Sequence, residues 1–231
     1  MMRVVVLGGT SGIGRAIAES CAADGDEVLV TGRDPEKLRT VAEKVAVAEA
    51  VDGRSAEDVR AFFARHGRFD HLVLALSSAS GAGTLRDLKM DDLRAGFEGK
   101  LFPHLTAAQA ALDTIAGDGS ITFITAASAQ GSIPGTAGLA AINGALERAV
   151  PPLAAELAPI RVNAVSPGVI DTPWWSAIPE AQRREQFAAF AEQTPVRRVG
   201  RPEDVAGTVR FLMSAGFVTG RVITCDGGLT L

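Results

Sequence analysis

The stretch Arg3-Val4-Val5-Val6-Leu7-Gly8-Gly9-Thr10-Ser11-Gly12-Ile13-Gly14-Arg15-Ala16-Ile17-Ala18-Glu19 decides the fold. A run of β-branched apolar residues enters a cluster of glycines, and an alanine-rich helical segment leaves it. Strand, tight turn and helix follow one another without a spacer. Gly8 permits the turn, Gly12 lets backbone approach a pyrophosphate, and Gly14 lets the helix pack closely on the strand. The helix start adds unpaired N–H groups and the positive end of its dipole, a combination that holds anions. Glycines serve many strand–turn–helix joints. Their place after the first strand of a βαβ unit is what makes this spacing specific.

Outward from that unit, short β-branched runs alternate with alanine-rich segments to the end of the chain. Strands are predicted at Arg3–Leu7, Glu27–Thr31, Lys44–Val47 extending towards Val51, His71–Leu76, Ser120–Thr125, Arg161–Pro167 and Val222–Asp226. Helices are predicted near Gly12–Ala23, Pro35–Ala42, Ala56–His66, Met90–Ala116, Gly138–Leu157, Pro179–Gln193 and Pro202–Ser214. Continuous apolar strands such as Leu72-Val73-Leu74-Ala75-Leu76 suit a sheet covered on both faces. Right-handed crossovers then give a doubly wound parallel α/β sheet of Rossmann type, with ligands at the carboxyl ends of its strands. No composition break divides the 231 residues, so a single domain is expected over 1–231.

Composition narrows the function. A formal charge of −4 argues against a nucleic-acid footprint, which needs clustered Lys and Arg. No apolar run is long enough to span a bilayer, and the chain opens on a strand rather than a secretory leader. Cys21 and Cys225 stand far apart and fit no metal spacing; small hydrophobes in a reducing cytosol are the simpler reading. With only His66, His71 and His104, a histidine metal site is not expected. A cytoplasmic protein acting on a small molecule remains.

After the second strand, Thr31-Gly32-Arg33 falls where an adenosine ribose should lie. An acidic residue there bonds the ribose 2′-OH and repels a 2′-phosphate, and an Arg does the reverse. An Arg–phosphate contact is worth about 1.5–3 kcal/mol, roughly 10–150-fold in preference. Hydroxyls of Ser11 and Thr31 can add contacts, and NADP(H) is the expected nucleotide. A solvated Arg33 ahead of a helix opening at Asp34-Pro35 is the plainer alternative.

The most specific pattern lies in the C-terminal half. Leu157-Ala158-Pro159-Ile160-Arg161-Val162-Asn163-Ala164-Val165-Ser166-Pro167-Gly168 resembles the sixth-strand signature of the short-chain dehydrogenase/reductase family. Val169-Ile170-Asp171-Thr172 resembles the continuation of that family's Pro-Gly-x-x-x-Thr element. Gly200-Arg201-Pro202-Glu203-Asp204-Val205-Ala206, then Val218-Thr219-Gly220 and Asp226-Gly227-Gly228, are similar to its closing helix and last strand. The Gly-x-x-x-Gly-x-Gly spacing at the first turn is also that family's, although Leu7 stands where it commonly has Thr. The resemblance implies nucleotide contacts from Gly8, Thr10, Ser11, Gly12, Ile13, Gly14, Arg33, Pro167, Gly168, Ile170 and Thr172. In it, backbone at Ile170 and the Thr172 hydroxyl hold the nicotinamide carboxamide. Asp52 matches the family's Asp at the adenine edge, or is simply a turn or cap residue.

The same resemblance implies a catalytic Tyr-x-x-x-Lys, yet this chain has no tyrosine at all. Counting back from Arg161-Val162-Asn163 puts the family's Tyr on Leu139 and its Lys on Asn143. The family's Ser falls on Ala126, and its helical Asn on Lys100. Its Asn-Asn-Ala-Gly element has become Leu74-Ala75-Leu76-Ser77. The Asn and Lys types are thus exchanged between two neighbouring positions. An ammonium at Lys100 can restore the local charge, donate to the nicotinamide ribose and, if buried, act as an acid. Otherwise Lys100 is a surface lysine and Asn143 turns to a partner subunit. Ser128 and Thr125 flank the lost Ser and can polarise a carbonyl, but a hydroxyl's pKa suits it badly as an acid. His104, four residues after Lys100, shares its helix face.

Thr172 to Gly200 matches the region that closes over substrate in this family. Trp174, Trp175, Phe187 and Phe190 there suit an apolar or aromatic ligand, or plain helix packing. The apolar helix Gly138–Leu157 implies a homodimer or homotetramer by the same resemblance. Pro151-Pro152 inside it predicts a kink or break. The leading expectation is an atypical NADP(H)-dependent oxidoreductase acting on a carbonyl or activated alkene, with Lys100, Asn143 and Ser128 as catalytic candidates. The alternatives are a non-catalytic NADP(H)-binding sensor or partner subunit, and a cyclase or isomerase without a nicotinamide.

Overall fold

The computed structural model describes all residues from Met1 to Leu231. Seven strands form one parallel sheet: β1 Arg3–Leu7, β2 Glu27–Gly32, β3 Val47–Ala50, β4 Phe69–Leu74, β5 Ile115–Ile124, β6 Arg161–Pro167 and β7 Val222–Cys225. Their spatial order is β3-β2-β1-β4-β5-β6-β7, so the winding reverses between β1 and β4. That reversal opens the crevice in which ligands of doubly wound sheets bind. The helices are α1 Gly12–Ala23, α2 Pro35–Ala42, α3 Ala56–His66, α4 Met90–Gly96, α5 Phe102–Ala111, α6 Ala137–Glu156, α7 Glu180–Gln193 and α8 Pro202–Ser214.

Strand alternation explains the unbroken apolar runs. Val5 and Leu7 point to one face, with Phe62 and Phe63 of α3, Ala107 of α5, and Leu146 and Val150 of α6. Val4 and Val6 point to the other, with Ile17 and Cys21 of α1 and with Val205, Val209 and Leu212 of α8. Because both faces are covered, residues at successive positions of β1 are buried alike, which gives an apolar run without the polar alternation of a one-sided sheet. No helix is long and apolar enough to cross a membrane.

Several boundaries depart from the sequence pattern, and β4 runs Phe69–Leu74, two residues earlier at each end than predicted. The helix predicted over Met90–Ala116 is interrupted by a π turn at Phe97–Leu101 and ends at Ala111. Ile115 instead pairs with Phe69 at the start of β5, and the register shifts before His71 meets Ser120. Gly119 makes this approach possible, since a Cβ there would lie 2.2 Å from the Asp70 carbonyl oxygen. Residues 44–46 precede β3 instead of belonging to it. The expected break at Pro151-Pro152 does not occur, because α6 runs through both residues. Both rings are exposed, on a face where water can serve the carbonyls they leave unpaired.

Arg161, at the start of β6, closes the C-terminal end of α8. Its guanidinium donates to the carbonyls of Leu212 (2.6 Å), Met213 (2.8 Å), Ala215 (3.2 Å) and Val218 (3.4 Å). The Leu212 and Met213 carbonyls are ones the end of α8 leaves without amide partners, whereas those of Ala215 and Val218 also accept from the Val218 amide and from Asn163. Arg161→Met is expected to cost about 3 kcal/mol by stranding the Leu212 and Met213 carbonyls. A urea unfolding midpoint equal to the parent's would show that they need no such donor.

Candidate active site

The glycine turn lies at the carboxyl end of β1, against the end of β4. Gly8 and Gly12 have φ of +83° and +51°, in the left-handed region. Close approach adds a second demand. A Cβ at Gly14 would lie 2.3 Å from the Gly8 carbonyl oxygen, and one at Gly8 would lie 2.8 Å from that of Ala75. Ser11 caps α1 by position, but its side chain makes no capping bond. With no acidic residue in that first turn, the helix N–H groups are left to an outside anion. Thr10 is buried over Gly32, and Ile13 packs partly into the core.

The element after β6 faces this turn. Thr172 is the nearest neighbour of Gly12, 3.3 Å from where a Cβ would stand. Pro167 is buried at the end of β6, and Gly168 lies tight against Asp226. Ile170 forms a parallel bridge with Gly200, and its carbonyl accepts the Trp175 indole N–H at 3.0 Å. The two glycine-bearing elements, far apart in sequence, thus form opposite walls of one cleft.

At the adenosine end, the Val51 amide donates to the Gly32 carbonyl at 3.0 Å and holds the ends of β2 and β3 together. Arg33 is exposed. Asp34 caps α2 by accepting from the amides of Glu36 and Lys37. Arg54 grips both carboxylate oxygens of Asp52, at 3.0 Å through Nε and 2.8 Å through Nη2. The Arg54 guanidinium is the chief cause holding the Asp52 carboxyl below its usual range. Thr31 is buried, and its carbonyl accepts from the amides of Gly8 and Gly9, which anchors the turn.

The catalytic candidates converge on the segment that leaves β5. Lys100 sits in the π turn, 8% exposed, and its Nζ donates to the Thr125 carbonyl at 3.2 Å. It is not a surface lysine. Burial pulls its pKa from 10.5 to about 8, and the Glu147 carboxylate pulls the other way. Asn143, 4% exposed on α6, donates through Nδ2 to the Leu139 carbonyl (2.9 Å) and the Ser128 hydroxyl (3.3 Å). Its Oδ1 is buried with no partner. Gly96 packs on Ile142, where a Cβ would come within 2.5 Å of Cδ1, so the two helices carrying Lys100 and Asn143 touch directly.

Two neighbouring groups are already committed. His104 is fully buried, and its ring nitrogens face the carbonyls of Lys100 (2.7 Å) and Leu74 (3.0 Å). Burial, with the Lys100 ammonium adding to it, lowers its pKa to about 3 against the pull of the two carbonyls, and the neutral ring donates its single N–H to one of them as a structural tie. The Thr125 hydroxyl donates to Glu147 (2.8 Å) and Val165 (3.2 Å), which leaves Ser128 as the free hydroxyl. Glu147 itself also accepts from Ser166 (2.7 Å) and Gln130 (3.1 Å). Sequence reasoning missed Glu147. Its only signal is an acid four residues beyond Asn143, on the same face of a largely apolar helix.

The segment expected to cover substrate comprises a short 3₁₀ turn at Pro173–Ala177 and α7, neither of which contains a buried residue. Trp175 is its centre, with ring centroids 4.7 Å from Trp174, 5.6 Å from Phe187 and 6.3 Å from Phe190. Trp174 remains 43% exposed. The aromatic residues therefore hold the 3₁₀ turn and α7 to each other.

Comparison with known proteins gives a consistent set. Residues 8–230 match a family model described as enoyl-(acyl carrier protein) reductase. The chain is 34% identical to the 3-oxoacyl-[acyl-carrier-protein] reductase MabA of Mycobacterium tuberculosis over 239 residues, covering 98% of this chain and 92% of that one. It is 30% identical to 1-cyclohexenylcarbonyl-CoA reductase of Streptomyces collinus over 242 residues, covering 98% and 86%. Among solved structures, a small-chain dehydrogenase in complex with NADPH superposes with a TM-score of 0.87 at 30% identity, covering 99% and 98%.

Proposed function

Because the chain belongs to the short-chain dehydrogenase/reductase family, we propose that it is an NADP(H)-dependent oxidoreductase with a non-standard proton donor. Its substrate is a small apolar carbonyl compound or activated alkene. The observation that carries this reading is that two polar groups are buried on either side of the segment leaving β5: the Lys100 ammonium, tied to the Thr125 carbonyl, and Asn143, tied to Ser128 with its Oδ1 unpartnered. Burying a cation and an unpartnered acceptor both cost stability, a cost that a ligand supplying the missing partners would offset.

The residues fit the dinucleotide that the family implies. Gly8, Gly12, Gly14 and the free N–H groups of α1 receive the pyrophosphate, with Ser11 at the rim. Arg33 takes the 2′-phosphate, and Thr172 faces the nicotinamide end. Asn143 Oδ1 accepts, and Lys100 donates to, hydroxyls of the nicotinamide ribose. When bound, the nicotinamide supplies or accepts the hydride. Holding substrate against it contributes about 7–11 kcal/mol of the barrier by proximity alone. Ser128, whose one partner is the Asn143 amide, is free to donate to a substrate oxygen. Reduction of an activated C=C bond suits this set, since the carbon can take its proton afterwards from solvent. The relatives named for enoyl and cyclohexenylcarbonyl substrates support that preference.

A second reading, an NADP(H)-binding protein without turnover, is favoured by the absence of any phenol, with Leu139 at the position of the family's acid. Hydride transfer separates the two. For the assembly we infer a homodimer or homotetramer, supported by exposed Phe102 and Leu112.

Energy transfer from Trp174 and Trp175 to NADPH, checked by calorimetry, is the test. Micromolar NADPH binding, at least tenfold tighter than NADH, is the expected result. Binding of neither nucleotide would end the oxidoreductase reading.

A further inference from the structure

Two parallel strands bring opposite charges to the place where nucleotide selectivity is decided. Gly32 pairs with Ala50 in register, so Arg33 leaves β2 beside the segment on which Asp52 leaves β3. The two charges sense each other, since Arg33 contributes to holding the Asp52 carboxyl low. An ionised Asp52 with no partner would oppose a 2′-phosphate bound by Arg33. It does have a partner. Arg54 holds it by both oxygens, and the Arg54 amide adds a third bond at 3.1 Å. Asp34 is matched likewise, with Lys37 at 3.7 Å and two amide donors. Both acids near Arg33 are therefore neutralised locally, while Arg33 alone has no ion-pair partner.

We propose that Arg54 is a specificity-determining residue, which favours the phosphorylated dinucleotide by cancelling the charge of Asp52. Arg54 need not touch the nucleotide to act. Its side chain is 56% exposed, so the effect is screened by solvent and salt, and modest in size. The proposal rests on the NADP(H) reading given above and deepens it. Arg33 alone supplies the attraction, and Arg54 removes the repulsion that would offset it.

The test is a calorimetric comparison of NADPH and NADH affinity for the parent, Arg54→Ala, Asp52→Asn and the double variant. Asn keeps the acceptor that bonds the Arg54 amide, so the local turn survives. Arg54→Ala should weaken NADPH about three- to tenfold and leave NADH within about twofold. Asp52→Asn should hold or raise the preference for NADPH, and the double variant should return to within about twofold of the parent. An unchanged preference in Arg54→Ala would overturn the proposal while leaving the NADP(H) reading intact. So would a double variant as weak as Arg54→Ala, because Arg54 would then be acting by direct contact. A parent with no preference for NADPH would overturn the selectivity reading itself, and this proposal with it.

Discussion

Lys100→Met should yield a protein more stable than the parent and poorer at holding NADPH. The gap between an ordinary lysine at 10.5 and Lys100 at about 8 corresponds to a cost of roughly 3 kcal/mol for keeping the ammonium buried. Methionine has similar length and no charge. It forfeits the bond to the Thr125 carbonyl, worth about 1 kcal/mol, so a net gain of about 2 kcal/mol is expected near pH 7. The sign follows from the depressed folded pKa. Between about 8 and 10.5 the unfolded chain binds the proton more tightly, so the parent gains stability as pH rises through that window. The advantage of the variant should therefore be full below about pH 8 and shrink above it. The groups facing Lys100 are the Glu147 carboxylate on α6 and the neutral His104 one turn on, and the second does not titrate in this range. NADPH affinity should fall about tenfold or more with the lost ribose contact, and turnover should fall further. Denaturant curves from about pH 6.5 to 9.5 and a nucleotide titration check both halves. A variant that binds and turns over like the parent would remove Lys100 from the mechanism.

Gly14→Ala should abolish tight nucleotide binding and lower stability together. The added Cβ would sit 2.3 Å from the Gly8 carbonyl oxygen, which belongs to backbone and cannot swing aside. Either α1 withdraws from β1 or the turn distorts, at a cost of about 3 kcal/mol, and the anion site between them is lost. Gly144 provides the control. It lies within α6, and a Cβ added there would meet nothing within 4 Å, so alanine should stabilise by up to about 1 kcal/mol. Losses above roughly a hundredfold in NADPH affinity for Gly14→Ala, with none for Gly144→Ala, are the expected pair of results. Intact binding in Gly14→Ala would show that the turn is not the phosphate site.

The backbone architecture was readable because it rests on local, periodic features. Val4 to Leu7 can only be a doubly covered strand, and Gly8, Gly12 and Gly14 carry their spacing openly. The π turn was not readable, since Phe97-Glu98-Gly99-Lys100-Leu101 has the same apolar spacing whether the helix is regular or bulged. Ile115 and Ala116 continued the helix pattern and were claimed by β5 only through their long-range partner Phe69. The exchange of Lys100 and Asn143 could be suspected from position, but the burial of both depends on helices packed from distant parts of the chain. Arg54 escaped notice because an Asp-Gly-Arg triplet looks like an ordinary turn until the register of β2 and β3 puts Arg33 beside it.

The π turn has a consequence for how this site can change over time. Removing one residue between Phe97 and Leu101 would restore a plain α ladder and rotate α4 against α5 by about 100°. The lysine would survive in the sequence and leave the cleft. A substitution at the same place would alter the chemical group yet keep its address. The cation's location is thus written in a residue count, so single-residue insertions and deletions here mark a sharper frontier between active and inactive descendants than any exchange of side chains.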